Sequence, residues 1–149
     1  MIALWLMLAC GTAETPAATP PPVVEVAKFG DTRLTQLKRY QVEVWFNPAV
    51  PPMGELFEVT TTVRGRDGGV IEDAKVKVDA RMPAHGHGMQ TAPVADPGVC
   101  DAAGACKHPG GVYVTKGFAF HMGGEWTITV DIEGSEGPDS TSFIYNQAG

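Results

Sequence analysis

The residues of this chain best suited to binding a transition metal lie in one short glycine-rich loop. His85 and His87 are two residues apart, and Met89 follows at the same spacing. In extended backbone such residues point to the same side, so both imidazoles could reach one ion. Imidazole binds copper, zinc and nickel, whereas the methionine thioether selects Cu(I), so this set predicts a copper site before a zinc site. The alternative is a glycine-rich turn whose histidines are exposed to solvent.

A second motif, residues 118–126, contains a histidine that could complete the site. Phe118, Phe120 and Met122 alternate along the chain. We therefore expect these three residues on the buried face of a strand and His121 on the opposite face. His121 could still supply a third imidazole if this corner of the chain lies beside the first loop.

Three neighbouring residues are expected to have structural or solvent-exposed roles. Met82 continues the inward face of its strand, where we expect its thioether to fill the core; the alternative is that it is a metal ligand. Trp126 is expected to be a core residue whose indole N–H needs a partner. His108 lies in a turn-rich insertion and is expected to be solvated.

Both motifs must be positioned by β-strands, because apolar and polar residues alternate along the chain with a period of two. The alternation is clearest over residues 71–82 and 125–134. No segment shows a sustained helical period. About six to seven short strands separated by turn residues predict an all-β fold, an immunoglobulin-like antiparallel β-sandwich.

The order of these motifs resembles that of the YtkA-like domain, which is related to the FixH-like module of cytochrome oxidase assembly. The resemblance covers roughly residues 38–146. The matching residues are Met82, Pro83, His85, Gly86, His87, Gly88, Met89, Gly111, Tyr113, Phe120, Met122, Gly123 and Trp126. The resemblance implies a small extracytoplasmic β-sandwich, often on a lipoprotein or membrane tether, with a link to copper or to respiratory-oxidase biogenesis.

The beginning of the chain has the features of a lipoprotein signal. Residues 1–10 are apolar up to Cys10, which follows a small alanine and resembles a lipidated cysteine; the alternative is an ordinary apolar N-terminus. Residues 11–37, rich in Pro, Ala and Thr at their start, are predicted to form a tether, and residues 38–149 the domain. This organisation predicts a lipid-anchored protein of the cell envelope that faces the periplasm or the extracellular space.

The two remaining cysteines, Cys100 and Cys106, are predicted to form a disulfide. Exported compartments are oxidising and favour such a bond. The rival interpretation is a metal site that combines these cysteines with His108, although their spacing is not a usual one for zinc.

Charge and motif content narrow the function. The net charge is −6 and no basic stripe is present, which argues against binding to nucleic acid or to an anionic membrane surface. No catalytic motif or small-molecule site is evident, so we predict a non-enzymatic domain. It would bind or transfer copper, with a copper donor or acceptor protein as partner. The alternative is a structural or interaction module without metal, accessory to an envelope or respiratory complex.

Overall fold

The structure of this protein is a computed structural model that describes residues 32–149. The predicted signal segment, Cys10 and most of the predicted tether lie outside these residues. The strands, in chain order, are β1 (Arg33–Leu34), β2 (Tyr40–Asn47), β3 (Phe57–Gly65), β4 (Lys75–Met82), β5 (His87–Gly88), β6 (Val94–Ala95), β7 (Val99–Cys100), β8 (Cys106–Lys107), β9 (Val112–Phe118), β10 (Gly124–Gly134) and β11 (Gly137–Gln147). Single 3-10 turns span Pro83–His85 and Pro109–Gly111.

The strands form a β-sandwich, as the alternation predicts. One sheet has five strands in the order β1-β2-β3-β9-β6, and the other has four in the order β11-β10-β4-β5. Neighbouring strands in both sheets are antiparallel. Six of the strands have seven or more residues, which confirms the expected number of main strands. Within residues 32–149 there is no helix long and apolar enough to cross a bilayer.

The core lies between the two sheets and consists of the residues that the period of two places on one face. Alternate side chains of β2, β4 and β10 are buried, while their neighbours face solvent or are half-buried. The largest fully buried side chains are Trp126, Tyr40, Phe118, Phe120, Phe143 and Met82. The predicted core positions of Met82 and Trp126 are therefore confirmed.

The sheet begins within the segment predicted as tether, because Arg33 and Leu34 pair with β2. The connection that follows is fixed by Asp139, which is 9% exposed. Its carboxylate accepts hydrogen bonds from the backbone N–H groups of Leu37 and Arg39, at 3.1 and 3.3 Å. Burial alone would raise the pKa of Asp139, but hydrogen bonds from Thr35 and from these backbone groups hold the pKa below its ordinary value.

We expect Asp139→Asn to lower the free energy of unfolding at pH 7 by about 2 kcal/mol, because hydrogen bonds to a buried charged group are lost. A carboxyl group whose pKa is depressed by folding stabilises the protein above its unfolded pKa of about 3.9 and loses that effect as the pH falls through the folded pKa. The difference between wild type and variant should therefore shrink under acid. Urea unfolding at neutral and acidic pH measures it. Asp131→Asn, at an exposed position of β10, is the control, and an Asp139 effect that stays constant with pH would contradict the argument.

The insertion before β9 is closed by a disulfide between Cys100 and Cys106, which confirms the predicted pair. The two cysteines face each other in the small hairpin of β7 and β8. Neither sulfur is therefore a free thiolate, and the rival metal site with His108 loses its sulfur ligands.

Candidate metal centre

The first histidine motif turns the chain back on itself at the end of β4. Pro83 begins a 3-10 turn, and Gly86 ends it with a φ of 69°, a left-handed conformation that glycine adopts without steric cost. The Gly86 N–H donates to the Met82 carbonyl at 3.0 Å and closes the turn. The chain then returns as β5, in which His87 pairs with Met82. The turn thus presents His85 and His87 together at one end of the sandwich.

The second motif reaches the same end of the sandwich because β9 stops at Phe118. The alternation of residues 118–122 predicts Met122 in the core and His121 pointing away from it. In the structure Met122 is 36% exposed, whereas His121 is half-buried against Trp126, so both expectations are wrong. The strand ends and Ala119 and Phe120 are both buried, so the strict alternation no longer applies beyond Phe118.

A hydrogen bond and a ring contact fix the corner that carries His121. The indole N–H of Trp126 donates to the carbonyl oxygen of Met122 at 3.1 Å. The His121 ring packs edge-on against the Trp126 ring, with centroids 5.5 Å apart. Trp126 itself is fully buried and contacts Phe120. The contact with the buried Trp126 therefore fixes the position of the His121 ring.

The three imidazoles form a row. The His85 and His87 ring centroids are 5.8 Å apart, and the His87 and His121 centroids are 5.3 Å apart. An ion held by an imidazole nitrogen at about 2.0–2.1 Å lies about 3 Å from the ring centroid, so two rings that share an ion are about 5–6 Å apart. Each spacing by itself lies in that range, so neighbouring rings of the row are close enough to share an ion in pairs. The structure thus brings together the three predicted histidines.

The nitrogen atoms of the His87–His121 pair are also suited to binding. His87 Nδ1 lies 3.1 Å from the carbonyl oxygen of Gly88. A carbonyl only accepts hydrogen bonds, so a neutral His87 would donate from Nδ1 in this contact and would bind an ion through Nε2. His121 Nδ1 is buried and has no hydrogen-bond partner among the described residues. A buried polar atom without a partner costs about 1–3 kcal/mol, and a bound ion would supply the missing partner.

The three histidines are not joined by other His, Cys, Asp or Glu side chains of the described residues that would complete a metal site. Within residues 32–149 no group of three or more His, Cys, Asp or Glu side chains is arranged to hold a metal ion. The centre is therefore a close pair, His87 and His121, with His85 beside it. Any further ligand at this end of the sandwich has to be of another type.

Several of the segments that meet at this end of the sandwich carry a methionine. Met82 is buried opposite His87, and Met89, two residues after His87, packs half-buried against the core. Met122 follows His121 directly. Met53 adjoins Gly54, whose N–H donates to the Phe120 carbonyl at 2.8 Å. Of these four methionines, Met82 is the one that pairs directly with a histidine, whereas Met53 is exposed on a separate loop.

Sequence reasoning missed the placement of Met53, whereas it placed Met82 next to the histidine loop with core filling as its expected role. Met53 approaches through a contact between residues far apart in the chain, for which no local pattern exists. Met82 carried a usable signal, because it is the last inward residue of the strand that leads directly into the histidine loop.

His108 lies apart from this centre. Its ring stacks on the Tyr113 ring at a centroid distance of 4.1 Å, and the side chain is half-buried. The expectation of a solvated His108 is therefore wrong. Two hydrogen bonds fix the Tyr113 hydroxyl, which donates to the Ile71 carbonyl at 2.8 Å and accepts from the Ala74 N–H at 3.0 Å. Because His108 packs on this fixed ring, we assign it to packing beneath the insertion.

Comparison with known proteins places the fold in context. A protein-family model described as YtkA-like matches residues 35–131, more than half of the chain. The matched range includes both histidine motifs. No curated protein matches this chain.

Proposed function

The chain belongs to the YtkA-like family, and we propose that it binds copper through His87 and His121 at one end of the sandwich. One observation carries the proposal. His121 holds a buried nitrogen without a hydrogen-bond partner among the described residues, and its ring centroid lies 5.3 Å from that of the exposed His87. A metal ion between the two rings would satisfy that nitrogen.

The composition of the centre favours copper over zinc. Protein zinc sites mostly use four His, Cys, Asp or Glu ligands in a tetrahedral arrangement, and the described residues offer no group of even three. Thioethers bind Cu(I), and Met82 pairs with His87, while Met89 and Met122 follow His87 and His121 within two residues. His85 extends the row and can accept the ion from solvent, since it is exposed. Met89 remains a predicted thioether ligand on the same side as His87.

We propose binding and transfer of the ion rather than turnover, in an exported and lipid-anchored protein. The Cys100–Cys106 disulfide supports an oxidising compartment. Lipidation of Cys10 and the tether would hold the domain at the membrane, facing the periplasm or the extracellular space. The loop of residues 48–56, beside the His121 corner, exposes Val50, Met53 and Leu56. This apolar surface suits a copper donor or acceptor protein that docks at the site.

Titration of the protein with Cu(I), Cu(II) and Zn(II) tests the proposal. We expect one equivalent of copper to bind more tightly than zinc. Cu(II) should quench the fluorescence of Trp126, because its ring lies 5.5 Å from His121; replacing Trp5 and Trp45 by Phe leaves Trp126 as the only reporter. His108→Ala is the matched histidine control and should bind normally. If neither Cu(I) nor Cu(II) binds, the proposal is refuted.

A second function is favoured by the outer face of the five-stranded sheet. Trp45 on β2 is 48% exposed, and Val112 on β9 and Val94 on β6 are also exposed. An interaction module without metal, accessory to an envelope or respiratory complex, would use this face to contact protein. Affinity purification with and without a chelator separates the two functions. Recovery of one partner regardless of chelator, and its loss in Trp45→Glu, would favour the interaction module.

A further inference from the structure

We propose that Met82, buried beneath the histidines, supplies a thioether ligand that makes the centre selective for Cu(I). This inference rests on the proposed copper site and identifies its sulfur ligand. The starting observation is the absence, within residues 32–149, of a His, Cys, Asp or Glu side chain that would complete the His87–His121 centre. Three independent features of the fold place Met82 there.

The first feature is the register of the four-stranded sheet. His87 pairs with Met82 between β5 and β4. Thr127 of β10 pairs with Arg81 of β4. Continuing this antiparallel register by one residue places Trp126 opposite Met82. Residues directly opposite in antiparallel strands are neighbours, so Met82 lies between His87 and Trp126 across the sheet. Met82 and Trp126 are buried, whereas His87 is exposed at the edge strand.

The second feature is the position of His121 relative to this row. Its ring contacts the His87 ring at 5.3 Å and the Trp126 ring at 5.5 Å. These two rings flank Met82 on either side. His121 therefore contacts both residues that neighbour Met82 in the register, and we infer that its ring lies close to the Met82 side chain.

The third feature is the direction of the Met82 side chain. A Cβ built on Gly124 would lie 3.2 Å from the Met82 methyl carbon Cε. Gly124 follows directly after the corner that holds His121 and Met122. The Met82 side chain thus extends toward that corner, and Gly124, with a φ of +121°, leaves the space that its tip occupies.

The chemistry that follows is a soft site formed by two imidazoles and one thioether. Met82 is only 1% exposed, so its sulfur would bind an ion that has lost its water. A neutral thioether strengthens binding of Cu(I) and contributes little to Zn(II), which prefers imidazole, thiolate and carboxylate. Met82 should therefore determine the metal preference of the centre, while the histidines determine that metal binds.

Measuring Cu(I) and Zn(II) affinities of Met82→Leu, with Met53→Leu as the control for an exposed methionine, tests the inference. We expect Met82→Leu to lower Cu(I) affinity by about tenfold or more and to change Zn(II) affinity by less than about twofold, as loss of one soft ligand predicts. Met53→Leu should change neither affinity. Thermal unfolding checks that each variant folds. If Met89→Leu weakens Cu(I) binding and Met82→Leu does not, the inference is overturned and Met89 is the sulfur ligand.

A spectroscopic measurement keeps the test decisive should Met82→Leu fail to fold. X-ray absorption of the Cu(I)-loaded variant Met53→Leu/Met89→Leu/Met122→Leu should still show a sulfur neighbour of copper, because Met82 is the methionine left in the domain. Loss of the sulfur signal in that variant would overturn the inference. If the wild-type protein binds no copper, the proposed function fails and this inference fails with it. If the wild-type protein binds copper but the ion has no sulfur neighbour, the inference about Met82 is overturned and the proposed copper binding stands.

Discussion

Replacing His121 by phenylalanine should remove tight copper binding and at the same time stabilise the copper-free protein. The phenyl ring keeps the aromatic contact with Trp126 but lacks the buried Nδ1, which has no hydrogen-bond partner among the described residues. Loss of one of two imidazole ligands should lower copper affinity by about 100-fold or more, since even partners of ligands contribute about 10–100-fold. Removal of the unsatisfied nitrogen should raise the free energy of unfolding without metal by about 1 kcal/mol.

Both effects are measured by denaturant unfolding of wild type and variant with and without copper. Copper at about 100 times its dissociation constant should stabilise the wild-type protein by about 2.7 kcal/mol. The variant should show no such increase at the same copper concentration. His108→Phe is the matched control, since His108 also packs against an aromatic ring but lies apart from the centre. Unchanged copper stabilisation in His121→Phe would show that the ion binds elsewhere.

These opposite effects reflect a cost that a binding site imposes on its fold. A core corner built only for stability would place an apolar ring where His121 stands. The protein instead places a nitrogen against the indole of Trp126, where solvent does not reach it. A buried polar group without a partner is expected at functional or strained positions, and the neighbouring His87 ring favours a functional role for His121.

Much of the sandwich follows from the sequence because a period of two is a local property. The residues of β4 and β10 alternate strictly, and their burial follows that alternation to the last residue of β4, Met82. Thr61, in the middle of β3, is buried among apolar neighbours. Its position in the alternation along the strand, rather than its residue type, determines which face of the sheet it occupies.

The features of the candidate metal centre that escaped prediction depend on contacts between distant parts of the chain. The alternation of residues 118–122 indicates a continuing strand, but β9 ends at Phe118, where Phe120 meets Phe46, Phe57 and Trp126 in an aromatic cluster. The strand β5 has only two residues, too few for any periodic signal. Its pairing with Met82 depends on the turn at Gly86, so the position of His87 beside a buried thioether is visible only in the fold.

Replacing Trp126 by alanine should lower the free energy of unfolding by about 3–5 kcal/mol, the range found for large aromatic residues in a core. Trp126 is 0% exposed and contacts both Phe120 and His121. The variant would leave a cavity between the sheets and would also remove the N–H that holds the Met122 carbonyl. Urea unfolding measures the loss. Trp45→Ala, at a 48% exposed position of the other sheet, should cost less than about 1 kcal/mol.

The conservative variant Trp126→Phe separates packing from positioning. It keeps an aromatic ring in the core but lacks the indole donor, so the corner of residues 119–124 loses the hydrogen bond that fixes it. Trp126→Phe should therefore lower the free energy of unfolding by less than Trp126→Ala does. Its copper affinity should nevertheless fall by about 10–100-fold, because groups that orient a ligand contribute that much. Copper affinity equal to wild type in a folded Trp126→Phe would mean that this hydrogen bond does not position His121. Parallel losses of affinity and stability in both variants would mean that Trp126 acts on the centre only through the stability of the core.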